Sequence, residues 1–158
     1  MVEWIRYLKV KTGKALEITD VREMNPSKLA YIGDAIYEAF VRTYLTIKFK
    51  EPMHKLHKRT VEFVRAGAQS KALQIILPVL VEDELYIVKR GRNAKSANIP
   101  PGADMIEYRR ATAFESLLGY LYLSGRYERL SEIMWCALGI DKQSDEESNV
   151  DGSGKFTC

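Results

Sequence analysis

The stretch from Leu29 to Phe40, LAYIGDAIYEAF, constrains the fold most, because a helical pattern contains two residues that helix interiors disfavour. Apolar residues recur at helical spacing from Leu29 as far as Tyr44. Gly33 costs about 1 kcal/mol relative to alanine within a helix. Asp34 lies on or beside the apolar stripe, where a carboxylate needs a partner. We therefore expect a long helix in which these two residues serve a close contact.

The rest of the chain also predicts helices. Asn25 followed by Pro26 is a typical helix start and opens a helix over 26–47. Further helices are predicted after Pro52, before Pro78, over 82–89, from Asp104 to about Ser124, and over 127–138. The segment 89–104, KRGRNAKSANIPPGAD, is predicted to be a loop because it combines glycine and proline breaks with several cations. Since strand-like alternation is limited to short ambiguous runs, we predict an all-α fold with one domain.

Charge divides the chain into unequal parts. The formal net charge is +3, but residues 141–158 carry five acids against two lysines, so residues 1–140 carry +6. We predict an N-terminal extension over 1–24, a helical domain over 25–140 and an acidic, disordered tail over 141–158. The basic body fits a polyanionic partner such as nucleic acid. Because no apolar run reaches membrane-spanning length and the N-terminus is charged, we expect no membrane association and a cytoplasmic location.

A second acid, Glu115, lies in a similar setting to Asp34, within TAFESLLGY. Both acids stand beside small residues, which let two helices approach closely. If the two carboxylates meet across such a contact, a hard divalent cation such as Mg²⁺ is the natural counter-charge. The alternative is that each acid lies at the edge of its stripe and pairs with a nearby Arg or Lys.

Three segments resemble the ribonuclease III family. LAYIGDAIYE resembles the family signature helix, ATAFESLLGYLYL resembles its second acidic helix, and IVKRG, residues 87–91, lies in the corresponding place between them. In detail the chain is similar to the short branch of the family, Mini-ribonuclease III, which has the endonuclease domain without a double-stranded-RNA-binding domain. The resemblance implies an all-α, dimeric ribonuclease III-type endonuclease domain.

The resemblance also implies an activity, namely Mg²⁺-dependent hydrolysis of double-stranded RNA that leaves 5′-phosphate and 3′-hydroxyl ends. Asp34 and Glu115 would be the catalytic and metal-binding residues, with Mn²⁺ as a substitute ion. The full-length enzymes carry two further acids, which align here with Ala30 and Thr112. The number of ions per site therefore stays open. Glu38 could orient a metal-bound water or pair with Arg42 at the i+4 position.

Partners are implied in the same way. Tyr31 aligns with an aromatic residue that the family inserts into the partner subunit of a homodimer. The branch suggests maturation of large-subunit (23S) ribosomal RNA precursor, with a ribosomal protein as a candidate to present the RNA. The alternative function is a catalytically silent, RNA-binding or ribosome-associated relative. The predicted RNA-binding residues are Lys89, Arg90, Arg92, Asn93, Lys95, Arg109 and Arg110.

Overall fold

The fold is all-α over the part of the chain described by this computed structural model, residues 2–13, 17–94 and 101–139, which confirms the predicted class. None of the helices in these ranges is long and apolar enough to cross a membrane. The helices are α1 (Val2–Thr12), α2 (Ile18–Glu23), α3 (Pro26–Lys48), α4 (Met53–Val64), α5 (Ala66–Ile76), α6 (Glu82–Arg92), α7 (Met105–Leu123) and α8 (Tyr127–Ala137), with a 3₁₀ turn over Leu77–Val79 after α5.

Helices α3 and α7 form the centre of the domain, and both begin as their capping residues predict. The Asn25 side chain accepts a hydrogen bond from the Ser27 N–H at 2.8 Å, with Pro26 at the first helical position. Asp104 accepts from two N–H groups at the start of α7, at 2.8 and 3.0 Å. These bonds satisfy donors that have no partner within the helix. Helix α7 is covered on most sides, by α3, α5, α6 and α8.

Two glycines bring the main chains of α3 and α7 into direct contact. A Cβ atom added to Gly33 would lie 1.8 Å from the carbonyl oxygen of Glu115. A Cβ atom added to Gly119 would lie 2.0 Å from the carbonyl oxygen of Leu29. The neighbouring atoms are backbone in both cases, so no side chain can move aside. The close helix contact predicted from Gly33 is therefore confirmed, and it carries the two acids of interest.

Helix α6 extends further than predicted. It ends at Arg92 and not at Lys89, so Arg90, Gly91 and Arg92 are helical and the prediction that these three lie in a loop was wrong. The glycine was read as a break, whereas it serves packing: a Cβ atom on Gly91 would lie 2.8 Å from the Cα of Ala113. Cations in the last turn of a helix also interact favourably with its carbonyl end.

A buried acid ties α6 to α8. Glu84 is fully buried, and its carboxylate accepts hydrogen bonds from Arg126 at 3.0 Å and Arg129 at 2.9 Å. Burial acts to raise the pKa of Glu84, but the hydrogen bonds from Arg129 and from the Val81 N–H outweigh it and hold the pKa below its ordinary value. The ionised carboxylate therefore fixes the start of α6 against α8.

The N-terminal segment packs onto the helical body. Val21 of α2 is fully buried, and Arg22 donates a hydrogen bond to Asp83 of α6 at 2.8 Å. The guanidinium of Arg90 donates to the carbonyl oxygens of Arg22 and Glu23 at the end of α2. Helix α2 is thus anchored to α6 through both main-chain and side-chain contacts. The acidic tail, predicted to be disordered, lies outside the described residues.

Candidate active site

The glycine contact places Asp34 of α3 and Glu115 of α7 next to each other. Gly33, the neighbour of the first acid, faces the carbonyl group of the second acid at a distance that only a glycine permits. Asp34 lies on the solvent side of the pair, while Glu115 is half-buried beneath it. Their interaction is strong enough that the charge of Asp34 acts on the ionisation of Glu115. The structure therefore brings together the two residues that the sequence analysis singled out.

Both carboxyl groups have raised pKa values. Burial is the larger cause for Glu115, followed by the charge of Asp34, and together they raise its pKa to about 8. Burial is also the first cause for Asp34, followed by the charge of Glu38. Among the described residues, no Lys or Arg forms an ion pair with Asp34 or Glu115. The alternative in which each acid pairs with a nearby cation is not observed.

Glu38, one turn after Asp34, is engaged elsewhere. Arg42 donates to its carboxylate from Nε at 3.1 Å and from a terminal nitrogen at 2.5 Å. Of the two roles left open for Glu38, pairing with Arg42 is the one observed. The pair is exposed, so it adds little to stability. Its remaining charge still raises the pKa of Asp34.

Gln69 of α5 is a third residue at the site, and the sequence analysis missed it. Its side chain is 1% exposed, and it acts to lower the pKa of both Asp34 and Glu115. Its Nε2 donates to the carbonyl oxygen of Val64 at 2.9 Å. Its Oε1 is buried and has no hydrogen-bond partner among the described residues. Leaving such an acceptor unpaired costs about 1–3 kcal/mol.

Asp34 and Glu115 are the two carboxyl groups at this site that could serve as ligands to a hard divalent cation. Two acids are held together without a cationic partner among the described residues, and the charge of one raises the pKa of the other. Within the described ranges, no group of three or more His, Cys, Asp or Glu residues could hold a metal. Neither Ala30 nor Thr112 has a carboxylate; Ala30 is buried, and the Thr112 hydroxyl donates to the Tyr108 carbonyl at 3.1 Å. Mg²⁺ tolerates two protein carboxylates because it keeps several waters.

The predicted RNA-binding residues fall at the end of α6 and the start of α7. Lys89, Arg92, Asn93 and Arg109 are exposed, and Arg110 is half-buried. Arg90 is half-buried and its guanidinium already binds the two α2 carbonyls. Lys95 lies outside the described residues. The two groups are linked, because Gly91 packs on α7 between Ala113 and Ser116.

Tyr31 stands on the open face of α3, 79% exposed and one helical turn before Asp34. A large aromatic side chain in this position buries little of its surface against the rest of the described chain. The ring is therefore available for contact with another molecule, close to the carboxylate pair.

A comparison with protein families matches the helices that carry the acid pair to one known family. The family described as the ribonuclease III domain matches residues 27–126, which is most of the described helical body. The chain belongs to the ribonuclease III family, a family of endoribonucleases. The matched range contains Asp34, Glu115 and Gln69.

Individual relatives define the branch. The chain is 43% identical over 144 residues to Mini-ribonuclease 3 of Clostridium tetani, covering 90% of this chain and 95% of the relative. It is 50% identical over 116 residues to Mini-ribonuclease 3 of Brevibacillus brevis, covering 73% and 87%. A crystal structure of a Fusobacterium nucleatum protein matches with a TM-score of 0.67 and 32% identity, over 76% of this chain and 96% of that one. These matches confirm the resemblance to the Mini-ribonuclease III branch.

Proposed function

We propose that this protein is a Mg²⁺-dependent endoribonuclease that cleaves double-stranded RNA as a homodimer in the cytoplasm. The single observation that carries the proposal is the pair formed by Asp34 and Glu115, held together by main-chain contact and left without a cationic partner. A cation between the carboxylates would offset the cost of bringing two negative charges into a half-buried site. The products would carry 5′-phosphate and 3′-hydroxyl ends.

In the proposed reaction, the carboxylates of Asp34 and Glu115 hold the metal, and neither has to act as the general base. Mg²⁺, or Mn²⁺ in its place, would supply charge neutralisation at the phosphate and would lower the pKa of a bound water. Burial and the charge of Asp34 favour the neutral form of Glu115. Because a carboxyl group binds a metal in its ionised form, Glu115 would have to lose its proton when the ion binds. The position of the main chain at Gly33 sets the separation between the two ligands.

RNA would bind through its backbone. Lys89, Arg92, Asn93 and Arg109 are exposed on connected helix ends, and A-form RNA is recognised chiefly by its shape, phosphates and 2′-hydroxyls. Tyr31 would pack into the partner subunit, and its exposure next to Asp34 supports this. Such an isologous dimer would use each interface residue twice and bring two sites to opposite strands.

The relatives carry the name Mini-ribonuclease 3, which supports ribonuclease activity without identifying the RNA. We propose the large-subunit (23S) ribosomal RNA precursor as substrate, presented by a ribosomal protein. The second candidate function is a catalytically silent RNA-binding module. It is favoured by the absence of a carboxylate at Ala30 and Thr112.

The test is cleavage of a long double-stranded RNA in Mg²⁺ and in EDTA. Wild type should cut only in Mg²⁺, and Asp34→Asn should lose several orders of magnitude in rate while keeping its helical content. Asp20→Asn, on the exposed face of α2, is the matched control and should cut normally. RNA binding without cleavage by folded wild type would favour the silent module. Equal cleavage by Asp34→Asn would overturn the assignment of the site.

A further inference from the structure

The last turn of α6 is held from two sides. On one side Gly91 packs against α7, where an added Cβ atom would lie 2.8 Å from the Cα of Ala113. On the other side the guanidinium of Arg90 binds the end of α2. The side chains of Lys89 and Arg92, which flank these two residues, are exposed. Contacts on two sides therefore determine where the exposed cations of this turn lie.

The contact with α2 has the form of a helix cap. The last carbonyl groups of a helix lack partners within the helix, and α2 ends at Glu23. One terminal nitrogen of Arg90 donates to the carbonyl oxygen of Arg22, and the other donates to the carbonyl oxygen of Glu23 at 3.2 Å. A guanidinium presents two such donors in one plane, whereas a lysine ammonium does not. These two bonds account for an arginine at position 90 without any contact to RNA.

Tyr86 of α6, one turn before Arg90, takes part in the same contact. The guanidinium carbons of Arg22 and Arg90 lie 4.2 and 5.6 Å from the centre of its ring. Its hydroxyl donates to the carboxylate of Glu23 at 3.2 Å. Guanidinium groups at such distances are attracted to the ring. Because tyrosine is uncharged, the contact between α2 and α6 can be weakened at Tyr86 without removing a positive charge.

We propose that α2 and Arg90 together position the last turn of α6 for RNA binding, so that Arg90 is a positioning residue and not an RNA contact. This inference rests on the proposed function. Through this contact the N-terminal segment contributes to RNA binding without touching the RNA. When the contact is lost, the turn that carries Lys89 and Arg92 gains conformational freedom, and RNA binding has to remove that freedom again.

The test measures the affinity of Arg90→Ala and Tyr86→Ala for a long double-stranded RNA over a range of salt concentrations, in EDTA to prevent cleavage. Ordering the backbone of one residue weakens binding about five- to thirtyfold, so we expect both variants to lose at least about fivefold in affinity. The slope of log affinity against log salt should stay that of wild type, because no phosphate contact is lost. Arg92→Ala, at an exposed cation of the same turn, should lower that slope by about 0.7–0.9 per subunit.

Two readouts separate positioning from a general loss of stability. In Mg²⁺, the KM for RNA should rise in both variants while kcat at saturating RNA and the affinity for Mn²⁺ stay those of wild type. A purely structural role predicts fewer folded molecules, and a lower apparent kcat at an unchanged KM would overturn the inference. Tyr86→Phe, which keeps the ring, is the matched control and should bind RNA as wild type does. If Arg90→Ala does not fold, Arg90→Lys replaces it, since lysine keeps the charge but lacks the second planar donor.

The salt slope decides between positioning and direct contact. A slope in Arg90→Ala as low as that of Arg92→Ala would make Arg90 a phosphate contact and would overturn the inference. Wild-type affinity in both variants would also overturn it, and so would a loss confined to Arg90→Ala, since the effect would then depend on charge alone. If wild type neither binds nor cleaves double-stranded RNA, the proposed function fails instead, so the two failures are distinguishable.

Discussion

Replacing Gly33 with alanine tests the contact on which the site depends. The added Cβ would lie 1.8 Å from the Glu115 carbonyl oxygen, where ordinary contact begins at 3.4 Å. Because the neighbour is backbone, α3 and α7 must separate by roughly 1.5 Å to relieve the clash, which disturbs a close-packed interface. The added methyl cannot be accommodated by a change of rotamer.

The expected magnitude follows from two opposing terms. Overpacking of a core costs about 1–3 kcal/mol and sometimes more, and a backbone clash falls at the upper end. Alanine returns about 1 kcal/mol through its helix propensity. We expect Gly33→Ala to lower the free energy of unfolding by about 2–3 kcal/mol. For a chain of this length, that corresponds to a fall in melting temperature of about 4–12 °C.

The assay is thermal and urea unfolding of wild type, Gly33→Ala and Gly67→Ala. Gly67 is the matched helical control, since its added Cβ would meet only the flexible end of the Glu107 side chain, at 3.0 Å. Gly67→Ala should therefore change stability by less than about 1 kcal/mol. Cleavage should be lost in Gly33→Ala even below its melting temperature, because the two carboxylates move apart. Wild-type stability in Gly33→Ala, or an equal loss in Gly67→Ala, would refute the close-contact argument.

Three further predictions address ionisation, assembly and RNA binding. The pKa of Glu115 is raised from 4.5 to about 8 in the folded protein, so its contribution to stability is complete below pH 4.5 and is lost as the pH rises to about 8. In EDTA, Glu115→Gln should therefore be more stable than wild type at pH 9, and identical pH profiles of unfolding would contradict this. Tyr31→Ala should give a monomer by light scattering with little loss of subunit stability, since the ring is 79% exposed; a Tyr31→Ala dimer would remove this residue from the interface. Arg92→Ala should lower the slope of log affinity against log salt by about 0.7–0.9 per subunit, whereas Lys71→Ala on the exposed face of α5 should not.

The central helices were predictable because local chemistry determines them. Asn25 with Pro26, and Asp104 before α7, are capping patterns whose hydrogen bonds the structure contains. Gly33 predicted a close helix contact because its cost in a helix requires compensation. Glu115, a second acid among small residues, was a candidate partner in that contact, with pairing to a nearby cation as the alternative. Local patterns were sufficient for these elements.

Other features depend on packing between distant segments. Gly91 was misread as a loop residue because the sequence does not reveal that it faces Ala113 of α7. The anchoring of α2 depends on Arg90 binding carbonyl groups 67 and 68 positions earlier. Gln69 had a detectable pattern, a polar residue at the start of the buried stripe over 69–76, but its effect on the pKa values of the two acids depends on the fold.

The most direct measurement of the central claim is the binding of Mn²⁺ to wild type, Asp34→Asn and Glu115→Gln, each checked for helical content. Glu128→Gln is the matched control, because Glu128 is an exposed acid on α8. If the two carboxylates share an ion, each single substitution at the site should abolish binding, and the control should bind as wild type does. Retention of wild-type affinity in either Asp34→Asn or Glu115→Gln would contradict a shared metal site between α3 and α7.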